Sequence, residues 1–242
     1  MRVLIISDIH ANLAAFEAVL ADANGQWDLI WCLGDLIGYG PDPNECVALL
    51  REHEHISLSG NHDWAVLGKL DIQNFNREAQ IAIQWTRSAI STDTHDYLDA
   101  LPALRVEPPF TLAHASPRQP VWEYILDPYT AAINFEHFET PYCLVGHTHV
   151  PVIYEESDAH TITFHRPDYD TDQLLDKHRL IINPGSVGQP RDSDPRAAYA
   201  FLDTDKLVWQ FKRVSYPVAV TQDKMRQYGI PTRLIKRLEF GL

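Results

Sequence analysis

Asp8 and His10 lie two residues apart where a short apolar run, Val3 to Ile6, stops at a polar turn. Past them, Asn12 opens a stretch with Leu13, Phe16, Val19 and Leu20 apolar, which is helical spacing. A carboxylate and an imidazole at the junction of a buried strand and a helix can aim at one point. Open α/β folds form their sites at such carboxyl ends of strands. The pair suits a divalent metal with mixed oxygen and nitrogen ligation. Taken alone, the tripeptide proves little and reads first as a helix N-terminal turn with a polar residue near the dipole.

The same arrangement recurs along the chain. Leu29 to Leu33 predicts a second buried strand, and it ends at Gly34-Asp35. Ile56 to Ser59 predicts a third, running into Gly60-Asn61-His62-Asp63. Phe110 to Ala113 delivers His114, and Tyr142 to Val145 ends in Gly146-His147-Thr148-His149. Each cluster alone is weak. Together they form a set, because one sheet brings strand ends together.

The elements that must position these residues follow from the remaining pattern. Asn24-Gly25 stops the first helix. Gly38 to Asn44 is a long turn, and a helix from about Asn44 to Glu52 follows Pro43. Asn76 to Leu101 reads as helical, with Ile81, Trp85, Ala89 and Ile90 on one side, and makes residues 64–101 a helical excursion beside the site. After His149 the pattern changes. Val152 to Tyr154, Thr161 to His165, Leu180 to Ile182, Tyr199 to Leu202 and Leu207 to Phe211 are short strands without long helices between them, an antiparallel portion. Asp168 to Lys177 is a polar, acidic surface loop, and a final helix is expected after Pro217. With no repeat, low-complexity tract or linker, residues 1–242 are expected to form a single domain.

Composition bounds the function. The 242 residues are 45% hydrophobic and 22% charged, enough for a proper core. No apolar run approaches the ~18 residues of a membrane span, and no basic segment leads into an apolar core and cleavage site at the start. The expected location is the cytoplasm. Three cysteines, Cys32, Cys46 and Cys143, give an odd count without close spacing, which argues against a disulfide framework. A net charge of −13 argues against a general nucleic-acid-binding surface. It leaves room for a phosphate substrate, because bound cations reverse local charge. Twelve histidines are an excess that points to metal or proton chemistry without locating it.

Asp-x-His, Gly-Asp, Gly-Asn-His-Asp, a later His and Gly-His-Thr-His, in this order, resemble the calcineurin-like metallophosphoesterase superfamily, over nearly the whole chain. The stretches Gly34 to Glu45 and Asn183 to Asp192 resemble its small prokaryotic phosphodiesterase branch, which includes enzymes that cleave dinucleoside polyphosphates. The resemblance implies a four-layer α/β/β/α sandwich with mixed sheets and the site at the strand ends. It implies one metal on Asp8, His10, Asp35 and His149, and a second on Asp35, Asn61, His114 and His147, with Asp35 bridging. It also implies attack on phosphorus by a metal-bridging hydroxide. Two divalent ions, two carboxylates and that hydroxide leave the centre at about +1, which attracts phosphate inside an acidic protein. Manganese or iron is expected, with zinc or nickel compatible, because the donor set does not select one ion.

His62 is then placed beside the metals to protonate the leaving alkoxide, as an imidazole titrates near neutral pH. Asp63 orients His62 or caps the next helix. Ala115 stands where many relatives have glycine after the later His. Arg191, in a loop shaped by Pro184, Gly185 and Gly188, can grip a phosphate bidentately, or else pairs with Asp192 or Asp194. Arg118 is a weaker candidate of the same kind. His53, His55, His95, His137, His160, His165 and His178 lack motif context and are expected at the surface. Trp27, Trp31, Trp85 and Trp122 are expected in packing rather than as substrate platforms. The expected activity is hydrolysis of a phosphodiester or phosphoanhydride in a phosphate-ester or nucleotide substrate, a dinucleoside polyphosphatase being the narrower alternative. A protein Ser/Thr phosphatase is disfavoured because Gly-Asp-Leu-Ile-Gly-Tyr-Gly lacks the acid and Arg of that group. A non-catalytic scaffold is disfavoured because His62 and all seven proposed ligands are present.

Overall fold

Val3 and Ile5 bury into one apolar core and their neighbours Leu4 and Ile6 into another. Tyr142 and Leu144 share the first of these cores, while Cys143 and Val145 enter a third. Side chains alternate across a strand, so three cores mean two stacked sheets with helices on both outer faces. That is the layered α/β/β/α arrangement.

The computed structural model describes residues 1–157, 159, 161–175 and 178–242. In chain order the elements are β1 (Arg2–Ile6), α1 (Leu13–Ala23), β2 (Leu29–Cys32), α2 (Pro43–Arg51), β3 (His55–Ser57), α3 (Asn61–Val66), α4 (Arg77–Ala89), α5 (Thr92–Asp99), β4 (Leu104–Glu107) and β5 (Phe110–Ala113). They continue with α6 (Pro128–Phe135), β6 (Tyr142–Leu144), β7 (Val152–Glu156), β8 (Ile162–His165), β9 (Gln173–Leu174), β10 (Arg179–Asn183), β11 (Ala197–Asp203), β12 (Val208–Val214), α7 (Val218–Gln227) and α8 (Thr232–Phe240). One sheet has the order β3-β2-β1-β11-β12-β9 and the other β4-β5-β6-β10-β7-β8. Both are mixed: β1, β2 and β3 are parallel, as are β5, β6 and β10, and the outer pairings are antiparallel. Among the described residues no helix is long and apolar enough to cross a membrane.

Local chemistry sets the ends of the helices. Asn12 accepts from Ala15 N at 3.3 Å to start α1, and Asn24 closes it in the left-handed region. Pro43 opens α2.

Several boundaries differ from the sequence pattern. The helical stretch from Asn76 breaks into α4 and α5. Ile90 is extended there, and Ser91 caps α5 by accepting from Thr94 N at 3.1 Å. The buried face of α4 is Ala79, Ala82, Ile83 and Thr86, whereas Ile81 is 40% exposed and Trp85 packs at 5.0 Å against Tyr228. The predicted final helix is two helices, α7 and α8. The polar loop from Asp168 contains the short edge strand β9, while residues 176 and 177 of that loop, like His160, lie outside the described residues.

Candidate metal centre

Register brings the strand ends together. Ile6 pairs with Cys32, and Cys32 with Ser57, so the turns carrying Asp8, Asp35 and Asn61 leave one sheet side by side. In the other sheet Leu112 pairs with Leu144 and Leu144 with Ile182, which aligns the turns carrying His114, His147 and the loop after Asn183. The two sets are then joined across the sandwich. His147 N donates to Asp8 Oδ2 at 3.1 Å, and Ser186 Oγ and Gly188 N donate to Asp8 O at 2.8 and 3.0 Å. Within the second set, Gly146 N donates to His114 O at 2.7 Å and Asn183 Nδ2 donates to Gly146 O at 2.6 Å.

Asp8, His10, Asp35, His147 and His149 all have φ between 49° and 63°. Such left-handed geometry is costly outside glycine, and it persists only where surroundings enforce it, most often at functional sites. Two glycines allow the close approach. A Cβ on Gly60 would meet Asp35 Oδ1 and lie 2.6 Å from Asp35 N. One on Gly146 would meet Ser7 Oγ and lie 2.9 Å from Asp8 Oδ2.

Side-chain donors of Asp8, His10, Asp35 and His149 lie within 4.8 Å of one another, as do those of Asp35, His114 and His147. Asn61 Oδ1 lies 3.2 Å from His114 Nε2. The rings are held from behind. Nδ1 of His114 and His149 donates to Leu33 O at 2.9 Å and Gln189 O at 2.6 Å, and His10 Nδ1 reaches Ile37 O at 3.3 Å. That fixes the tautomer and leaves Nε2 as the bare nitrogen. His147 is reversed: its Nε2 donates to Trp122 O at 3.2 Å, so Nδ1 is the bare nitrogen.

The donors fit divalent cations. His10 Nε2 and His149 Nε2 face each other at 3.1 Å, two lone pairs with no proton to share. Asp35 Oδ2 is buried without a hydrogen-bond partner, 3.6 Å from His10 Nε2 and 3.5 Å from His114 Nε2. A buried carboxylate oxygen left so costs several kcal/mol, on the order of 1–3 or more, and a cation between these atoms removes both penalties.

Among the protein charges alone, burial opposes ionisation of Asp8 and Asp35, yet His149 beside the first and His114 beside the second hold both below the usual carboxylate range. Burial pushes His10 and His149 down and takes His147 to about 3, which keeps these rings neutral, the form that ligates. Burial also opposes charge on His114, but Asp35 outweighs it and pushes His114 up to about 9, so that among the protein charges alone a proton sits on Nε2, and a cation would have to displace it to bare that nitrogen.

The other candidates separate. The His62 ring packs 4.2 Å from Tyr39, 5.0 Å from His10 and 5.2 Å from Phe75, with its Nδ1 buried and unpartnered. Burial pushes it down to about 4. Asp63 makes its hydrogen bonds to backbone: Gly60 N at 2.8 Å, Ile37 N at 3.1 Å and Leu36 N at 3.4 Å. It therefore caps α3 and ties down the loop after Asp35, and the contact with the His62 ring that the orienting role needs is not among its bonds. Arg118 is engaged by Glu123, so its guanidinium has a carboxylate of its own. Arg191 has none among the described ion pairs, since Asp192 pairs with Arg213 and Asp194 with Arg196. Arg191 N donates to His149 O at 3.3 Å, its guanidinium lies 5.9 Å over the Tyr39 ring, and its Nε is buried without a partner.

Sequence reasoning missed the contributions of Tyr39, Phe75 and Tyr124, and it set Trp122 aside as packing. Tyr39 packs 4.8 Å from His10, and Tyr124 stacks 3.9 Å from His147. The Gly-Tyr-Gly step flanking Tyr39 was the available signal for the first. The others come from segments without any motif.

Residues 1–207 match the family described as the calcineurin-like phosphoesterase superfamily domain. A crystal structure of a metallophosphoesterase from Sphaerobacter thermophilus is 47% identical, with a TM-score of 0.91 over 100% of this chain and 99% of that one. An uncharacterised protein of Methanocaldococcus jannaschii is 37% identical over 99% of this chain and 98% of its own length. Phosphodiesterase YfcE of Escherichia coli is 25% identical over 86% of this chain and 90% of its own length.

Proposed function

The chain belongs to the calcineurin-like phosphoesterase superfamily, and from that premise we propose that it is a dinuclear hydrolase of phosphodiester or phosphoanhydride bonds. The observation that carries the two-metal reading is Asp35, which stands in both groups of convergent donors. Asp8, His10, Asp35 and His149 would hold one ion, and Asp35, Asn61, His114 and His147 the other. Such ions supply an acidified water as nucleophile and neutralise charge on the phosphoryl oxygens. Manganese or iron suits the donors, and zinc or nickel is compatible. With Asp8 and Asp35 as the only carboxylates among the proposed ligands, the centre keeps a positive balance that draws an anionic ester into an acidic protein.

The chain's own residues do the rest. His62 protonates the leaving oxygen; burial disfavours its charged form, and the negative charge of a phosphate beside the ring favours it again. Arg191, lacking a carboxylate partner, grips the phosphoryl oxygens. The three cysteines are free and buried, which fits a reducing cytoplasm.

The test is metal-resolved. The protein is stripped, and Mn, Fe, Zn, Ni or Mg is returned singly while cleavage of an aryl phosphodiester and a dinucleoside polyphosphate is followed. Activity is expected to need metal, to vanish in Asp35→Asn together with ion binding, and to fall ~10²–10⁴-fold in His62→Ala with both ions retained. Normal turnover by either variant would sink the assignment.

A further inference from the structure

Trp122 and Tyr124 remain 36% and 46% exposed at the mouth of the centre, although the backbone that carries them is firmly held. Glu123, between them, turns away to accept from Ser116 Oγ and Asn134 Nδ2, both at 2.8 Å, and to pair with Arg118. Tyr124 stacks on His147 at 3.9 Å with 25° between the rings. Trp122 sits edge-on to Phe75 at 5.1 Å, and Phe75 edge-on to His62 at 5.2 Å. Two runs of rings therefore flank the site, Tyr124 on a proposed metal donor and Trp122 with Phe75 on the proposed acid, and residues 122–124 carry both. Fixed, half-open π faces beside a cationic centre are suited to a planar ring attached to an anion. An aliphatic ester would leave those faces in water.

We propose that Phe75, Trp122 and Tyr124 form a specificity rim that takes a nucleobase-like aromatic ring on the leaving side of the substrate phosphate. The reading rests on the proposed phosphoesterase function, since the rim is assigned to the leaving side through His62. It narrows the substrate class to phosphate esters or anhydrides that carry such a ring.

The test uses the full-length, metal-loaded protein. kcat/KM is measured for a dinucleoside polyphosphate and for a glycerol phosphodiester with wild type, Trp122→Ala, Tyr124→Ala, Trp122→Phe and Tyr124→Phe. Each ratio of the two substrates cancels any loss common to both. The alanine variants are expected to lower the ratio about 5–150-fold, mostly through KM of the ring-bearing substrate, and the phenylalanine variants to restore most of it. An unchanged ratio in both alanine variants overturns the rim while leaving the hydrolase intact. Calorimetric binding of a nucleoside monophosphate against ribose 5-phosphate provides the second readout. If no ester is cleaved with any metal, yet the nucleotide binds more tightly than the sugar phosphate in a Tyr124-dependent way, the hydrolase reading fails and the rim stands. Equal binding of both ligands overturns the rim.

Discussion

Replacing Gly60 with alanine adds one methyl group and touches no proposed ligand atom by chemistry, only by space. Gly60 has φ −101° and ψ −176°, ordinary extended backbone, so alanine carries no conformational penalty there. The new Cβ would meet Asp35 Oδ1 and lie 2.6 Å from Asp35 N and 2.7 Å from its Cγ. Ordinary carbon contacts are ~3.5–4.0 Å, so Asp35 or the turn at Gly60 must move by about 1 Å. The neighbouring atoms are backbone and a carboxylate held by His62 N at 2.9 Å, which leaves nowhere soft to yield. Overpacking of this kind costs ~1–3 kcal/mol, and for a chain of this size that is a fall in Tm of roughly 2–12 °C. Displacing the shared carboxylate should weaken both ions by about 10–100-fold, the usual effect of disturbing the supports of a metal site. Thermal denaturation in chelator gives the first number, and ion titration followed by elemental analysis gives the second. Gly68→Ala is the control, because nothing lies within 4 Å of its Cβ position. Its own φ of +80° will cost some Tm while ion binding stays normal. Wild-type ion affinity and Tm in Gly60→Ala would refute the argument that this backbone approach sets the position of Asp35.

Three further outcomes follow from the same geometry. Arg191→Ala should lower kcat/KM by about 10–100-fold through lost phosphate contact, and Arg191→Lys should recover little of it, because a lysine cannot present the planar fork; full recovery in the lysine variant would mean that only charge matters. Burial opposes ionisation of Glu123, but Arg118, Asn134 and Ser116 outweigh it and hold the carboxyl below its ordinary value. That contribution is present above the unfolded carboxylate range and is lost as pH falls through the lower folded value. The loop bearing Trp122 and Tyr124 should therefore loosen in acid, visible by near-UV circular dichroism, and Glu123→Gln should show a weakened clamp already at neutral pH. Burial pushes the Cys32 thiol up to about 12 and raises Cys46 and Cys143 as well, so no thiol should react with Ellman's reagent at pH 8 until the protein unfolds.

The buried strands are legible in the sequence because each is a short apolar run closed by a polar turn, and those turns carry the side chains that the fold brings together. What the sequence conceals has physical causes. The left-handed backbone at Asp8 and His147 is braced by bonds between the two sheets and that at Asp35 by the neighbouring turns of its own sheet, and nothing local in those residue types announces it. The break between α4 and α5 depends on Asn44, whose side chain accepts from Ser91 N at 2.8 Å and donates to Ala89 O at 2.9 Å from 45 or more residues away. β4 escapes notice because Leu104-Arg-Val-Glu107 is an edge strand with Arg105 and Val106 exposed. For Arg191, the sequence offers two neighbouring acids as partners, and only the fold shows that Arg213 and Arg196 have taken them. Asp63 is the converse: adjacency to His62 suggests a partnership, while helix geometry turns its carboxylate back to Gly60.

The pairing of β1 with β11, Leu4 opposite Phe201, has a consequence for synthesis. β2 follows β1 early in the chain, but the partner for its other edge emerges roughly 195 residues after it. At ~5–20 residues per second a ribosome takes roughly 10–40 s to deliver that partner. For that interval Val3 to Ile6 presents an unpaired apolar edge, a template for association with other nascent chains. Asp8 waits on the same timetable, since Ser186 and Gly188, which fix its carbonyl, arrive just before β11. The candidate metal centre can thus be assembled only after most of the chain has left the ribosome.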